Sequence, residues 1–202
     1  QEDKPGNYIH SYANLDLPGN RLSVVDGLRI TGMPSSDPLT LQYRHNMLQQ
    51  ICFQNSIDCG NGFTLTDVAG HPLYAWDTDN RKFRIEYDLL RRVIRKWMKD
   101  THLLEITNYG EGISGGAGLN LIGQVYEHFD SSGRQWMPDG YDFKGNPIAI
   151  YQQLPDDKTL TDADWNNSPP ALSAEIFITT SQTDALGRPV QSIDAGNNIT
   201  EL

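Results

Sequence analysis

The chain is poor in cysteine, in positive charge and in long apolar runs, and each shortage removes a class of function. Only Cys52 and Cys59 stand among 202 residues, seven positions apart. Two cysteines make no disulfide framework, and without ligand-spaced histidine or acid beside them they make no zinc site. They read as reduced, partly buried small side chains, and the spacing leaves a bond between them open. Sixteen Lys and Arg face 26 Asp and Glu, a net charge of -10. Nucleic acid is thereby excluded as the general partner, because a phosphate backbone selects basic surface. No apolar run comes near the ~18 residues of a membrane-crossing helix, and no signal peptide is visible. The chain opens on Gln1 and stops at Leu202 within an apparent strand, so it is expected to be a fragment or processed piece of a larger protein.

What the chain does have is turns, 18 glycines among them, with short strands between. Residues 1–20 read as extended or loop, with Pro5, Gly6, Pro18 and Gly19. Leu22–Val25 and Leu28–Thr31 flank Asp26-Gly27, a two-residue hairpin signal. Leu41, Leu48, Ile51 and Cys52 fall near helical spacing, which predicts one short helix over 41–54. From residue 63 the period of two takes over. Phe83, Ile85 and Tyr87 alternate with Lys82, Arg84 and Glu86, and further strands are predicted at 89–98, 103–109, 121–129, 176–180 and 189–193. Within 121–129, Gly123 is read as a bulge. Gly110–Gly118 is read as a flexible connection and 155–170, rich in aspartate and ending in Pro169-Pro170, as a surface loop or insertion. The predicted division is an irregular segment over 1–62 and a β-sheet region over 63–202.

Aligning the turns shows that the chain repeats itself. Seven units share an aspartate followed three residues later by a turn residue: Asp67 with Gly70, Asp77 with Asn80, Asp88 with Arg91, Asp130 with Gly133, Asp142 with Gly145, Asp184 with Gly187, and Asp194 with Asn197. Within clusters the aspartates lie 10, 11, 12 and 10 residues apart, the length of one strand and one turn. The third position is Gly or Asn in six of the seven, as a left-handed conformation requires. At Arg91 a type I turn or a slightly longer loop is expected instead. Tyr141-Asp142-Phe143-Lys144-Gly145-Asn146-Pro147 is the best-preserved copy. There the Asp142 side chain is expected to close the turn on backbone amides.

These residues carry a family. Tyr87-Asp88-Leu89-Leu90-Arg91-Arg92-Val93, the Tyr141–Pro147 stretch and Asp184-Ala185-Leu186-Gly187-Arg188-Pro189 resemble the YD repeats of RHS proteins. With Pro72-Leu73-Tyr74-Ala75-Trp76-Asp77 and Asn120–Tyr126, residues 55–202 resemble the RHS regions of insecticidal toxin complexes and related polymorphic toxins. Thr183 stands where the repeat normally has tyrosine, and Asn80 and Arg91 replace its glycine. The resemblance implies an all-β, mainly antiparallel strip forming part of a spiral hollow shell that encloses a toxic C-terminal polypeptide until delivery. It implies as partners the remaining repeats and the enclosed cargo, a secreted or bacterial cell-surface location, no direct membrane insertion, and no cofactor. Family shells often end in a self-cleaving core with Asp-Pro-x-Gly motifs. Here Asp37-Pro38 runs into Leu39-Thr40, so that activity is not carried over.

Other motifs carry less. Gly110, Gly112 and Gly115 match a dinucleotide fingerprint and Gly112-Ile113-Ser114-Gly115-Gly116 a nucleophile elbow. Neither has the strand–helix setting it requires. Asp77-Thr78-Asp79-Asn80 lacks the glycine and distal glutamate of a calcium loop. The five histidines are scattered, and Trp76, Trp97, Trp136 and Trp165 read as sheet packing. Eight of the sixteen basic residues lie between Arg81 and Lys99, read as a solvated face paired with neighbouring acids. No catalytic triad, carboxylate pair or metal cluster assembles, so no enzyme activity is expected. The alternative to a shell wall is an extracellular YD-repeat binding module for glycan or a partner protein. An exposed aromatic row would favour it.

Overall fold

In a computed structural model, described over residues 2–4, 7–8, 11–26 and 39–201, the chain is all β apart from two short 3-10 turns. β1 (Glu2–Lys4) and β2 (Asn7–Tyr8) form a separate pair. Every later strand joins one open antiparallel sheet in which neighbours in sequence are neighbours in space. The chain divides into two compact units, Gln1–Arg84 and Ile85–Leu202.

The first unit holds β3 (Ser11–Leu15), β4 (Arg21–Asp26), β5 (Leu39–His45), β6 (Ile51–Ser56), β7 (Gly60–Thr66) and β8 (Pro72–Trp76). The predicted helix over 41–54 is absent. Leu41 pairs with Ser56 and His45 with Ile51, across a turn at Asn46–Gln50. Four apolar residues at loose helical spacing are also compatible with two short strands, and Asn46 bonds the backbone in a way that ends any helix. The proposed hairpin partner Leu28–Thr31 lies outside the described residues. β4 pairs with β3 and β5.

β9 (Lys82–Tyr87) leads into the second unit, followed by β10 (Val93–Met98), β11 (His102–Tyr109), β12 (Val125–Asp130), β13 (Gly133–Trp136), β14 (Ala149–Gln153), β15 (Phe177–Thr183), β16 (Pro189–Ile193) and β17 (Ile199–Glu201). The strand expected over 121–129 starts only at Val125, because Leu121–Gln124 forms a turn with Gly123 at φ +83°. Gly123 is therefore a turn residue and no bulge.

Two loops thicken this unit. Gly110–Gly112 and Gly116–Leu119 form 3-10 turns that fold back on the sheet, so the stretch read as a flexible connection is a packed element. Leu121, fully buried, meets Met137 and Tyr141, with Ile113, Val125, Tyr126 and Ile150 against them. A side chain at Gly110 would run into Leu121, so this approach is open to glycine alone. The second loop, 154–176, docks through Asp164 and Trp165. The Asp164 Oδ1 accepts from Leu103 N (3.2 Å), Trp165 N donates to Leu103 O (3.0 Å), and the Trp165 indole donates to Asp130 O (3.2 Å) beside the Phe129 ring. The Asp164 carboxyl is held down at about 2. Partial burial opposes ionisation, but hydrogen bonds from Asn167 and from the Asn166 and Leu103 amides outweigh it.

Candidate functional site: the repeated turns

Six of the seven units found by alignment resolve into one five-residue turn, built the same way each time. The Asp142 amide donates to Asn146 O (2.8 Å) and the Gly145 amide to Asp142 O (3.1 Å). One carboxylate oxygen accepts from the amides of Lys144 and Asn146 (2.8 and 2.9 Å), and the other from the Asn146 side chain (2.9 Å). Thr183 adds a hydroxyl donor at 2.7 Å. Asp67, Asp77, Asp88, Asp184 and Asp194 repeat the scheme, with His71, Arg81, Arg92, Arg188 and Asn198 supplying the side chain four residues on. A carboxylate holding two amides and a side-chain donor is stabilised in its charged form. Accordingly the carboxyl of Asp142 lies far below the usual range, through Asn146 first, then Thr183 and the turn amides. Those of Asp67 and Asp184 are lowered chiefly by the His71 and Arg188 amides. At Asp77 and Asp88 burial opposes ionisation, and the bonds from Arg81 and Arg92 overcome it.

The third position is left-handed throughout: Gly70, Asn80, Gly145, Gly187 and Asn197 all have positive φ. Arg91 does too, at +65°, with its amide on Asp88 O. The bond of the expected type I turn is made, from the Arg91 amide to Asp88 O across Leu89 and Leu90, neither of which has positive φ, and Arg91 takes the left-handed position that follows such a turn. The carboxylate bonds impose the common turn, and arginine bears the backbone cost. Asp130 departs instead. It faces Gly133 directly across a two-residue turn, and its side chain accepts from the Ser132 amide and lies 3.9 Å from His128 Nε2. Gly133 is needed for another reason, since a Cβ there would strike Gln153 O of β14. Tyr87 ends β9 half-buried, one residue before Asp88. Tyr141 is buried and donates its hydroxyl to Val125 O at 2.6 Å.

The alignment misses two copies. Asp16–Asn20 makes every bond of the scheme but one, since Pro18 has no amide to offer at the second position after the aspartate, and Asn46–Gln50 makes it with asparagine for aspartate and Gln49 left-handed at φ +63°. The overlooked signal is the donor or amide side chain at the fifth position, present in both.

The other candidates are consumed by structure. In the basic run, Arg81 meets Asp77 and Asp79, Arg95 meets Glu86, and Lys96 meets Glu105. Arg92 lies over the Tyr109 ring and bonds both Asp88 and Glu111 (2.6 Å), tying the glycine-rich loop to the Asp88 turn. Asp77 and Asp79, the calcium candidates, share Arg81. Cys52 and Cys59 are unpaired. Among the described residues no cluster of three or more metal-ligating side chains forms.

No protein-family model matches the chain. Over 184 residues, 77% of the chain, it is 25% identical to the toxin subunit YenC2 of Yersinia entomophaga, and it spans 19% of that protein. A Tc holotoxin pore from Photorhabdus luminescens matches 95% of the chain with a TM-score of 0.80 at 20% identity, the chain covering 9% of it. TcdB2-TccC3 without its hypervariable C-terminal region matches 96% with a TM-score of 0.82 at 21% identity, 10% of its length being covered. The open antiparallel strip is the RHS-type shell fold of these Tc toxin structures. The likeness supports a toxin-related structural role.

Proposed function

We propose that the chain is a wall segment of a secreted, toxin-encapsulating RHS-type shell, without catalysis of its own. The observation that carries this reading is the open sheet itself. Among the described residues, strands β3 to β17 pair in chain order, with one neighbour each for β3 and β17. Such a strip spreads surface and gathers no pocket chemistry. The aspartates of its repeat, Asp67, Asp77, Asp88, Asp142, Asp184 and Asp194, are each spent on a turn.

A wall must also release what it encloses. Across β11 to β14 one face carries a row of directly opposed polar side chains, Thr107, His128, Gln135 and Gln152. A row of this kind holds an unfolded apolar segment weakly, since it offers little apolar area. The opposite face of the same strands carries Arg134 over Trp136, and Trp136 against Tyr151. A glycan platform would need a row of exposed rings, whereas Trp136 is buried, Trp165 is tied to Phe129 and Asp130, and the exposed rings of Tyr12, Phe63 and Phe143 stand on separate elements. This disfavours the binding-module reading.

The test is protease protection. In a longer chain carrying more repeats and the natural C-terminal segment, that segment is expected to resist digestion at protease levels that destroy it when expressed alone. Equal digestion in both settings would reject encapsulation.

A further inference from the structure

The connection 154–176 between β14 and β15 is held on both sides of one loose stretch, 157–162. Before it, Asp156 N donates to Ala171 O (3.0 Å), Ser173 N to Leu154 O (2.9 Å) and the Gln153 side chain to Ser173 O (3.0 Å). After it, Ala163 is fully buried, Asp164 and Trp165 grip β11 and β12, and the Asn167 side chain donates to Thr101 O (2.8 Å). Among the described residues, 157–162 hydrogen-bond only to one another. Leu160 N donates to Asp157 O (3.3 Å), and the Thr159 amide and hydroxyl donate to Asp157 Oδ1 (2.9 and 2.6 Å). Asp156 to Thr159 are all exposed.

Lys158 stands in that turn. Among the described residues it is the one lysine or arginine outside both the strands and the short turns that join paired strands. Lys144 lies in the Asp142 turn with its amide on Asp142 Oδ1, and the loop 110–124 contains neither residue type. A protease must draw the chain extended through its cleft, so it cuts where a stretch leaves the fold at little cost. Strands and tight hairpins resist, because their ladders would have to open. At 157–162 only the three bonds to Asp157 are given up.

We propose that Lys158–Thr159 is a site of limited proteolysis for a trypsin-class protease, and that the nicked chain stays assembled. A lysine before the cut is what the acid-lined primary pocket of that class takes. Water adds across the amide as the C–N bond breaks, its hydroxyl going to the Lys158 carbonyl carbon and its hydrogen to the Thr159 nitrogen. The new carboxyl then passes its proton to the amine, leaving a carboxylate and an ammonium. The piece beginning at Thr159 keeps its hold on the rest. β15 retains its ladder with β14, from Ala149–Thr180 to Gln152–Phe177. Thr183 retains its bond to the Asp142 carboxylate (2.7 Å), and Asp164 and Trp165 retain theirs to Leu103 and Asp130. On the near side of the cut, Pro155 stays bridged to Leu172. None of these contacts passes through the cut bond. The proposal does not rest on encapsulation, because cutting is read at Lys158 and protection at the enclosed segment.

The 202-residue chain, exposed to sparing trypsin, is followed by intact mass and by size exclusion without denaturant. Over the sites from Arg44 to Arg188, the first cut should fall after Lys158. The piece ending there and the piece beginning at Thr159 should co-elute. Lys158→Gln should slow that cut by at least about a hundredfold and leave the thermal midpoint unchanged, because the side chain is exposed. Thr159→Pro, which keeps the lysine but makes the following bond resistant, should suppress it too. A first cut elsewhere in that range overturns the proposal, as does a chain left uncut there by active trypsin. So do pieces that separate without denaturant, or a Lys158→Gln chain cut over that range as fast as its parent.

Discussion

The two units are made of the same hairpins and the same turns, yet they bury very different amounts. Among the described residues every buried apolar side chain lies in the second unit: Leu103, Leu121, Trp136, Met137, Tyr141, Ala149 and Ala163. In the first unit, Phe53 and Phe63 pair across β6 and β7 at 4.7 Å, but Phe63 remains half exposed. A single-layer sheet open on both faces can cover a side chain only with its cross-strand neighbours. Full burial needs a second layer. In the second unit the loops 110–124 and 154–176 supply it, one beneath Tyr141 and the other over Leu103. Repetition therefore makes the strip, and the departures from repetition make its core.

That comparison can be broken most directly at Leu121. Leu121→Ala is expected to cost about 2–5 kcal/mol. Hydrogen exchange should show the loss in β11 to β14 while β5 to β8 keep their protection. Equal loss in both units would mean that the loops do not set the difference. Tyr141→Phe tests one bond of the same core. Removing the hydroxyl leaves Val125 O without its 2.6 Å donor, for an expected loss of about 1 kcal/mol, read from denaturant midpoints.

The contrast can also be narrowed from the other side. Gln49 holds a left-handed conformation without being glycine or asparagine, so Gln49→Gly should stabilise the first unit by about 1 kcal/mol. Exchange rates in β5 and β6 report it.

The smallest expected effect concerns pH. The Asp164 carboxyl has a lowered pKa in the folded chain. Its contribution is therefore complete above the unfolded value and is lost as pH falls through the folded one. Between about 3.8 and about 2 the docking of the 154–176 loop should weaken. Trp165 fluorescence follows it, and Asp164→Asn should flatten that part of the curve.

Much of the strip is legible in residue order. Alternation at Lys82–Tyr87 and at Pro189–Ile193 marks strands, and the aspartate spacing marks the turns between them. The turn at Arg91 is not legible from propensity, because an arginine at that position argues for another conformation. Only the bonds from Asp88 impose it. The helix expected over 41–54 fails for a related reason. Four loosely spaced apolar residues cannot distinguish one helix from two strands, and Asn46 decides the matter by capping a turn. The glycine-rich loop is the largest departure. Gly110 and Gly116 look like slack in the sequence, yet the fold uses their missing side chains to bring backbone onto Leu121.

What the sequence determined by itself is the unit: a carboxylate followed by two free positions, a left-handed residue and a donor. Those five residues satisfy one another locally, so the turn at Tyr141–Ile150 can be read without knowing its neighbours. Tertiary structure decided which copies are buried and that Tyr141 belongs to a core as well as to a turn. Burial depends on partners far along the chain, and no five-residue pattern contains them.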